Sequence, residues 1–160
     1  MKKLQIIPPH QIVTKKEISE LERRIGKVLP RDYVEFLLLG NGGSLDTNNS
    51  VLPVAGLAPG GDVPINFFYL PIPEEDEPHR SIYVPIAWYH NRIPSAMLPI
   101  AEDEFGNLLL ILLAGDDLGA IFFWDHENEG FDSDPDDRHN THIVAPNLGD
   151  LVERLEPWPH

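Results

Sequence analysis

Between Ala96 and Asp125 three apolar runs follow one another closely: Ala96 to Ala101, Leu108 to Leu113 and Ala120 to Asp125. They are joined by Glu102-Asp103-Glu104-Phe105-Gly106-Asn107 and by Gly115-Asp116-Asp117-Leu118-Gly119, whose Gly, Asp and Asn turn a chain sharply. A parallel pairing needs a crossover of about a dozen residues or more. Links this short confine the three runs to adjacent antiparallel strands, and the remaining chain has to be arranged around that meander.

The flanks read as helical. Thr14-Lys15-Lys16-Glu17 has the form of a capping box, in which Thr and Glu satisfy each other's backbone amides. Apolar residues recur at Ile18, Leu21, Ile25 and Val28, one face of a helix with Gly26 near its end. Leu29-Pro30-Arg31-Asp32 starts a second helix, where Pro30 suits the first turn because its missing N–H has no helical partner there. Tyr33, Phe36 and Leu37 form its buried stripe, and Gly40-Asn41-Gly42-Gly43 stops it. Near the other end Thr141 to Ala145 reads as a last strand. Asn147 then caps a closing helix with Leu148, Leu151, Val152 and Leu155 at i, i+3, i+4 and i+7.

Two further stretches carry weaker patterns. Ile82, Val84, Ile86 and Trp88 alternate with Tyr83, Pro85, Ala87 and Tyr89, the period of a half-buried strand, and Pro85 assigns it to an edge or a bulge. Residues 44–80 hold six prolines and the run Glu74-Glu75-Asp76-Glu77, which predicts short strands within long loops. Residues 126–140 predict an acidic loop. With no internal repeat and no linker, the 160 residues read as one α+β domain, a mostly antiparallel sheet packed against N-terminal helices and a C-terminal helix.

The absence of cysteine excludes disulfides, thiolate metal sites and thiol nucleophiles, and fits a reducing compartment. The longest apolar run, Leu108 to Ala114, is seven residues, against the ~20 that span a bilayer. The N-terminus lacks the apolar core of a signal peptide, so a soluble, cytoplasmic protein is expected. The net charge of −14 is uneven. Residues 1–40 hold eight Lys/Arg and five Asp/Glu, a balance of +3; the remaining 120 hold four and twenty-one, a balance of −17. From Ile93 to Asp137 there are twelve acidic side chains and no Lys or Arg. Such a field repels nucleic acid and anionic lipid and attracts basic proteins or cations. It also serves solubility alone, and the two readings stand side by side.

The order of motifs resembles a known group. Glu20-Leu21-Glu22, Gly26, Leu29-Pro30-Arg31-Asp32-Tyr33, Phe36-Leu37 and Asn41-Gly42-Gly43 look like the opening helical signature of the SUKH superfamily, the group that includes fungal cell-wall-synthesis regulators. Leu98-Pro99-Ile100-Ala101, Phe105-Gly106-Asn107 and Ile121-Phe122-Phe123-Trp124-Asp125-His126-Glu127 resemble its central hairpins, and Leu148 to Leu155 its last helix. Leu38-Leu39-Gly40 departs from the aromatic or polar residue expected before Asn41. The resemblance implies an antiparallel sheet packed on helices, with Tyr33, Phe36 and Trp124 as core and Gly42 and Gly43 as turn formers. It implies a binding protein: bacterial members are in many cases immunity proteins that neutralise secreted polymorphic toxins, and fungal members are regulators or scaffolds. It brings no catalytic residues.

The residues support no stronger chemistry. Asp132-Ser133-Asp134-Pro135-Asp136 alternates carboxylates as a calcium loop does, but Asp137 stands where Gly is required and Ile143 where a bidentate Glu is required. Asp125, His126, His139 and His142 are the candidate ligands of a metal-dependent hydrolase, against the plainer reading of surface histidines before a strand. There is no Gly-x-Ser-x-Gly elbow and no phosphate-cradling glycine pattern. Lys15, Lys16, Arg23, Arg24 and Lys27 read as the solvated face of the first helix. The sequence therefore predicts a non-enzymatic protein without cofactor that binds a protein partner, an immunity protein facing a basic toxin domain. The alternatives are a regulatory or scaffold module of the same fold and, behind it, the hydrolase. The predicted contact surface is Asp116, Asp117, Glu127, Glu129, Phe131, Asp132, Asp134, Asp136 and Asp137, in loops expected to be solvated and to add little to the core.

One measurement separates the hydrolase from the rest. Elemental analysis of the purified protein is expected to find no stoichiometric transition metal, and chelation is expected to leave its melting temperature unchanged; one zinc per chain, lost together with stability, would instead promote His126, His139 and His142 to ligands.

Overall fold

The computed structural model describes residues 1–8, 11–54, 57, 61–130 and 134–159. Helix α1 (Lys15–Ile25) begins at the capping box, where the Thr14 N–H donates to Glu17 Oε2 at 2.8 Å. The hydrogen bonds from Thr14 hold the Glu17 carboxyl below the usual carboxylate range. The helix ends at Gly26, which takes φ +69° and donates its N–H to Glu22 O at 2.9 Å. Helix α2 (Arg31–Leu38) starts immediately after Pro30, and Glu22 Oε2 accepts the Leu29 N–H at 2.9 Å, so α1 supplies an acceptor to the start of α2. Helix α2 does the same for the closing helix α4 (Leu148–Arg154). Asp32 Oδ2 accepts the Leu148 N–H at 2.9 Å and the Gly149 N–H at 3.3 Å, while Asn147 Oδ1 accepts the Asp150 N–H at 2.7 Å. These donors have no partner inside a helix, and carboxylates are favoured at that end.

Among the described residues the sheet has seven strands: β1 (Gly43–Ser44), β2 (Val51–Pro53), β3 (Asp62–Phe68), β4 (Met97–Asp103), β5 (Leu108–Leu112), β6 (Ile121–Trp124) and β7 (Thr141–Ala145). These strands pair with one another antiparallel throughout, in the order β1-β3-β4-β5-β6-β7, and β2 lies beside the other half of β3's outer edge. Beyond β1 and β2, Ile6 bridges Leu45 and Glu156 bridges Val51. The meander predicted from the short links is β4-β5-β6, and β7 spans the predicted Thr141 to Ala145.

Two expectations are corrected. Residues 82–89 are not a strand: Tyr83–Trp88 is a helix, α3. Ile82, Ile86 and Tyr89 fit a helical period as well as a strand period in so short a segment. Pro85 falls in the first turn, where no N–H is needed, and Ser81 Oγ accepts the Tyr83 N–H at 3.3 Å. Within residues 44–80, β2 is short as expected, but β3 is seven residues long and interior to the sheet. Pro64 lies inside it and still accepts the Glu104 N–H at 3.1 Å through its carbonyl.

Directly paired positions of an antiparallel ladder share a face. One row is therefore Phe67, Glu102, Leu108, Trp124 and Thr141; the opposite face carries Phe68, Ala101, Leu109, Phe123 and His142. Phe36 of α2 packs on Phe68 with ring centroids 4.7 Å apart, and Tyr89, just after α3, packs on Trp124 at 5.4 Å. Both faces are covered, and all five residues of β5 are buried. Tyr33, Phe36 and Trp124 are fully buried, as expected of core.

The turn after α2 is the tightest point. Asn41 is buried; its Oδ1 accepts the Leu4 N–H at 2.7 Å and its Nδ2 donates to Lys2 O at 3.2 Å, fixing the N-terminal segment. A Cβ on the next residue, Gly42, would stand 2.5 Å from Leu70 Cδ2, and Leu70 is only 1% exposed. Gly42→Ala is expected to lower stability in denaturant unfolding by about 1–3 kcal/mol, the cost of overpacking. Ala114→Ser, at an exposed position, is expected to change nothing measurable.

Candidate functional site

The connection between β6 and β7, residues 125–140, is the long acidic segment singled out by the sequence. Its base is closed: the Asp125 N–H donates to Asn140 O at 3.0 Å, and buried Asn140 returns Nδ2–H to Asp125 O at 2.8 Å. Asp125 Oδ1 caps a 3₁₀ turn, His126–Asn128, by accepting the Glu127 N–H at 3.0 Å. Glu129 Oε1 takes the Arg92 guanidinium at 2.9 Å, and this hydrogen bond holds the arginine above its ordinary range. A second 3₁₀ turn, Pro135–Asp137, is capped by Asp134 Oδ1, which accepts the Asp136 N–H at 2.9 Å. Asp136 Oδ1 accepts both the Ser95 N–H at 2.8 Å and its hydroxyl at 3.1 Å. Arg138, at φ +56°, then lays its guanidinium 5.6 Å from the centre of Phe122.

These contacts give the segment a path. It leaves the Trp124 end of β6, reaches Ser95 next to the start of β4, and returns to Thr141, which pairs with Trp124. Met97 pairs with Leu112, so Ser95 lies at the opposite end of the strands from Trp124. The described residues of the segment thus lie along the α3 face of the sheet, and all of them except Asn140 are half-buried or exposed, as a solvated loop adding little to the core requires. Its carboxylates are spent partly on their own structure, because a Gly/Asp/Asn-rich loop has few other acceptors for its backbone amides.

The predicted residues divide accordingly. Glu129, Asp134 and Asp136 hold the loop in place. Glu127 and Asp137 are exposed, with no side-chain partner among the described residues. Asp116 and Asp117 are also exposed, on the β5–β6 turn at the start of β6, where Gly119 lies against Pro30. They are at the other end of β6 from Glu127 and Glu129; only the return of the chain to Ser95 carries Asp134, Asp136 and Asp137 toward that end. Phe131 and Asp132 fall outside the described residues, as does part of the calcium-like run.

The histidines are dispersed. His126 Nδ1 faces Asn107 Oδ1 at 2.7 Å, His139 Nε2 faces Asn128 O at 2.9 Å, and His142 is exposed on β7. Among the described residues no three His, Asp or Glu are grouped to hold a metal, and no helix is long and apolar enough to cross a membrane. The basic end of α1 is nearer to the loop than its sequence distance suggests: Arg24 and Lys27 line a groove of about 490 Å³ with Asp134, Pro135 and Asp136. Arg24 is only partly a solvated residue, since its guanidinium lies 4.1 Å from the centre of the Tyr83 ring. Sequence reading missed Arg92, Ser95 and Arg138 as the fixtures of the loop. Arg92 and Ser95 lie about forty positions from their partners, and no periodicity relates them.

Comparison with known proteins adds an independent finding. A model of the SMI1 / KNR4 family (SUKH-1) matches residues 12–154. The chain is also similar to the SPbeta prophage-derived uncharacterized protein YokK of Bacillus subtilis (strain 168), with 28% identity, over 77% of this chain and 67% of that protein.

Asp136→Ala removes the acceptor that ties the loop to Ser95. It is expected to raise hydrogen exchange at the Ser95 amide and to cost about 1 kcal/mol of stability, less than the ~1.5–3 kcal/mol of a hydrogen bond to a charged group because the site is exposed. Asp137→Ala, one residue on and without a side-chain partner among the described residues, is expected to do neither.

Proposed function

The chain belongs to the SMI1 / KNR4 (SUKH-1) family, and from that membership together with its charge distribution we propose that it is an immunity protein which binds and neutralises a basic toxin domain in the cytoplasm. The observation that carries this reading is the fate of the cations. Beyond residue 40 the chain has four arginines against twenty-one carboxylates. Arg80 is paired with Glu77, Arg92 with Glu129 and Arg154 with Asp150, and Arg138 lies over Phe122. Of the four, only the exposed Arg138 keeps a charge without an ion-pair partner among the described residues, one cation against the exposed acids Asp116, Asp117, Glu127 and Asp137.

Such a surface suits a protein with a cationic groove, a nuclease toxin in particular, because carboxylates occupy the place of substrate phosphates. Its charges act first on encounter, raising association to ~10⁸ M⁻¹s⁻¹ or more at low salt. The reading needs no catalytic group and no cofactor in this chain.

The test is co-expression with the product of the adjacent upstream gene. Growth protection together with one-to-one co-elution is the expected result. Co-elution without protection would favour a regulatory or scaffold module of the same fold. The charge mechanism has its own check in the fourfold variant Asp116→Asn, Asp117→Asn, Glu127→Gln and Asp137→Asn, which spares the loop's structural carboxylates. Its association rate at low salt is expected to fall by about tenfold, with a flatter salt dependence and an unchanged melting temperature. An unchanged rate and salt slope would remove these acids from the interface.

A further inference from the structure

On the α3 face of the sheet, a recess of about 280 Å³ opens beside the Phe67–Glu102 pair. Four aromatic residues line it, with Pro78, His79, Val84 and Pro85 beside them: Phe67 and Tyr69 meet edge to face with centroids 5.0 Å apart, and Trp88 and Tyr89 stand on α3 and the residue that follows. One carboxylate belongs to it. Glu102 Oε2 accepts the Tyr69 hydroxyl at 2.6 Å, and among the described residues no cation is paired with Glu102. Burial pushes the Tyr69 phenol up, and the hydrogen bond to Glu102 adds to the effect; burial likewise raises Tyr89, with the negative charge of Glu102 contributing. Tyr69 therefore stays a donor, and the carboxylate keeps further acceptor sites unused. At the mouth stands Trp88, 70% exposed despite its size.

A carboxylate with no ion-pair partner among the described residues, set beside aromatic rings, is chemistry for a cation. We propose that this recess is a socket for one arginine side chain of a protein partner, the guanidinium lying against the rings and donating to Glu102. The ring quadrupoles attract the cation, Trp most strongly, and the carboxylate supplies a charge-assisted acceptor. Arginine fits better than lysine because its planar, weakly hydrated head stacks on aromatic faces, whereas an ammonium surrenders more hydration. Exposed Trp meeting Arg is also the composition in which binding energy concentrates at interfaces.

The protein already uses the same contact internally. Arg92 lies 4.8 Å from the centre of Tyr89, and Arg80 lies 5.9 Å from the centre of Phe67. Each of those guanidiniums is neutralised by its own glutamate, Glu129 and Glu77. The charge of Glu102 is not cancelled by them, and it is the one the socket offers outward. The inference deepens the proposed function by naming a contact for the basic partner, and it rests on that reading for its biological meaning.

The experiment needs no natural partner. The intact protein is titrated with N-acetyl-arginine methylamide, and the indole N–H resonance of Trp88 is followed, assigned among the three tryptophans by Trp88→Phe. A saturable shift is expected with the arginine derivative and a weaker one with the lysine derivative. None is expected with the neutral citrulline isostere. Trp88→Ala, at an exposed position, and Glu102→Gln, which keeps the shape and the acceptor for Tyr69, are each expected to weaken arginine binding by about fivefold; for Trp88→Ala the readout is the Tyr89 ring. The proposal is overturned if citrulline binds as arginine does, if both variants bind unchanged, or if no shift saturates. Because the titration uses native protein and a small probe, it can fail while toxin neutralisation holds, and it can succeed if the neighbouring gene product proves unrelated.

Discussion

Strand β5 is Leu108-Leu109-Leu110-Ile111-Leu112, and every one of these side chains is buried. A strand sends successive residues to opposite faces, so a run without a polar position obliges the fold to cover both sides of the sheet. Burying each such side chain contributes about 1.5–3 kcal/mol, which is too much for either face to be left to water. The helices meet half of the demand. Phe36 of α2 packs on Phe68, and α2 is locked to α4 by Asp32. On the opposite face lies the six-residue helix α3, and the described residues of the acidic 125–140 connection run outside it, with Arg138 over Phe122 and Asp136 tied to Ser95.

The course of the segment accounts for how its carboxylates are used. A polar loop laid on an apolar sheet must satisfy its own backbone, and Asp125 and Asp134 do so by capping two 3₁₀ turns. It must also be held at a distance from its base, which Arg92–Glu129 and Ser95–Asp136 achieve. Glu127 and Asp137, not required for these tasks, are exposed, and three of the four arginines beyond residue 40 are already paired with other carboxylates. Fold and proposed function therefore draw on one set of residues but not on the same members of it. On the same face, Glu102 lies among aromatic rings instead of on the exposed loop, so its charge is better shielded from salt than that of Asp137.

Local signals were legible where a few neighbouring residues decide the outcome. The Thr14–Glu17 capping box, the stop at Gly26, the β4-β5-β6 meander, β7 and the Asn147 cap all stand where the sequence indicates. The segment 82–89 was misread because Ile82, Ile86 and Tyr89 satisfy two periods within eight residues. Nothing inside so short a stretch chooses between them; the packing of Tyr89 on Trp124 and the placement of Pro85 in a first turn make the choice. Strand β3 was underestimated because prolines weigh against strands locally, whereas its pairing with β1, β2 and β4 outweighs them.

The sequence by itself determined the element types at capped or strictly periodic segments, the antiparallel sense of the meander, the apolar character of the core and the acidic excess, because each depends on spacing along the chain or on composition. Tertiary structure alone decided which acids are structural and which are free, that Asp116 and Asp117 sit at the opposite end of β6 from Glu127, and that Glu102 lies among Phe67, Tyr69, Trp88 and Tyr89. Those facts depend on strand register and on contacts between residues tens of positions apart, and such pairings are selected by the burial of whole faces, a quantity no local window contains.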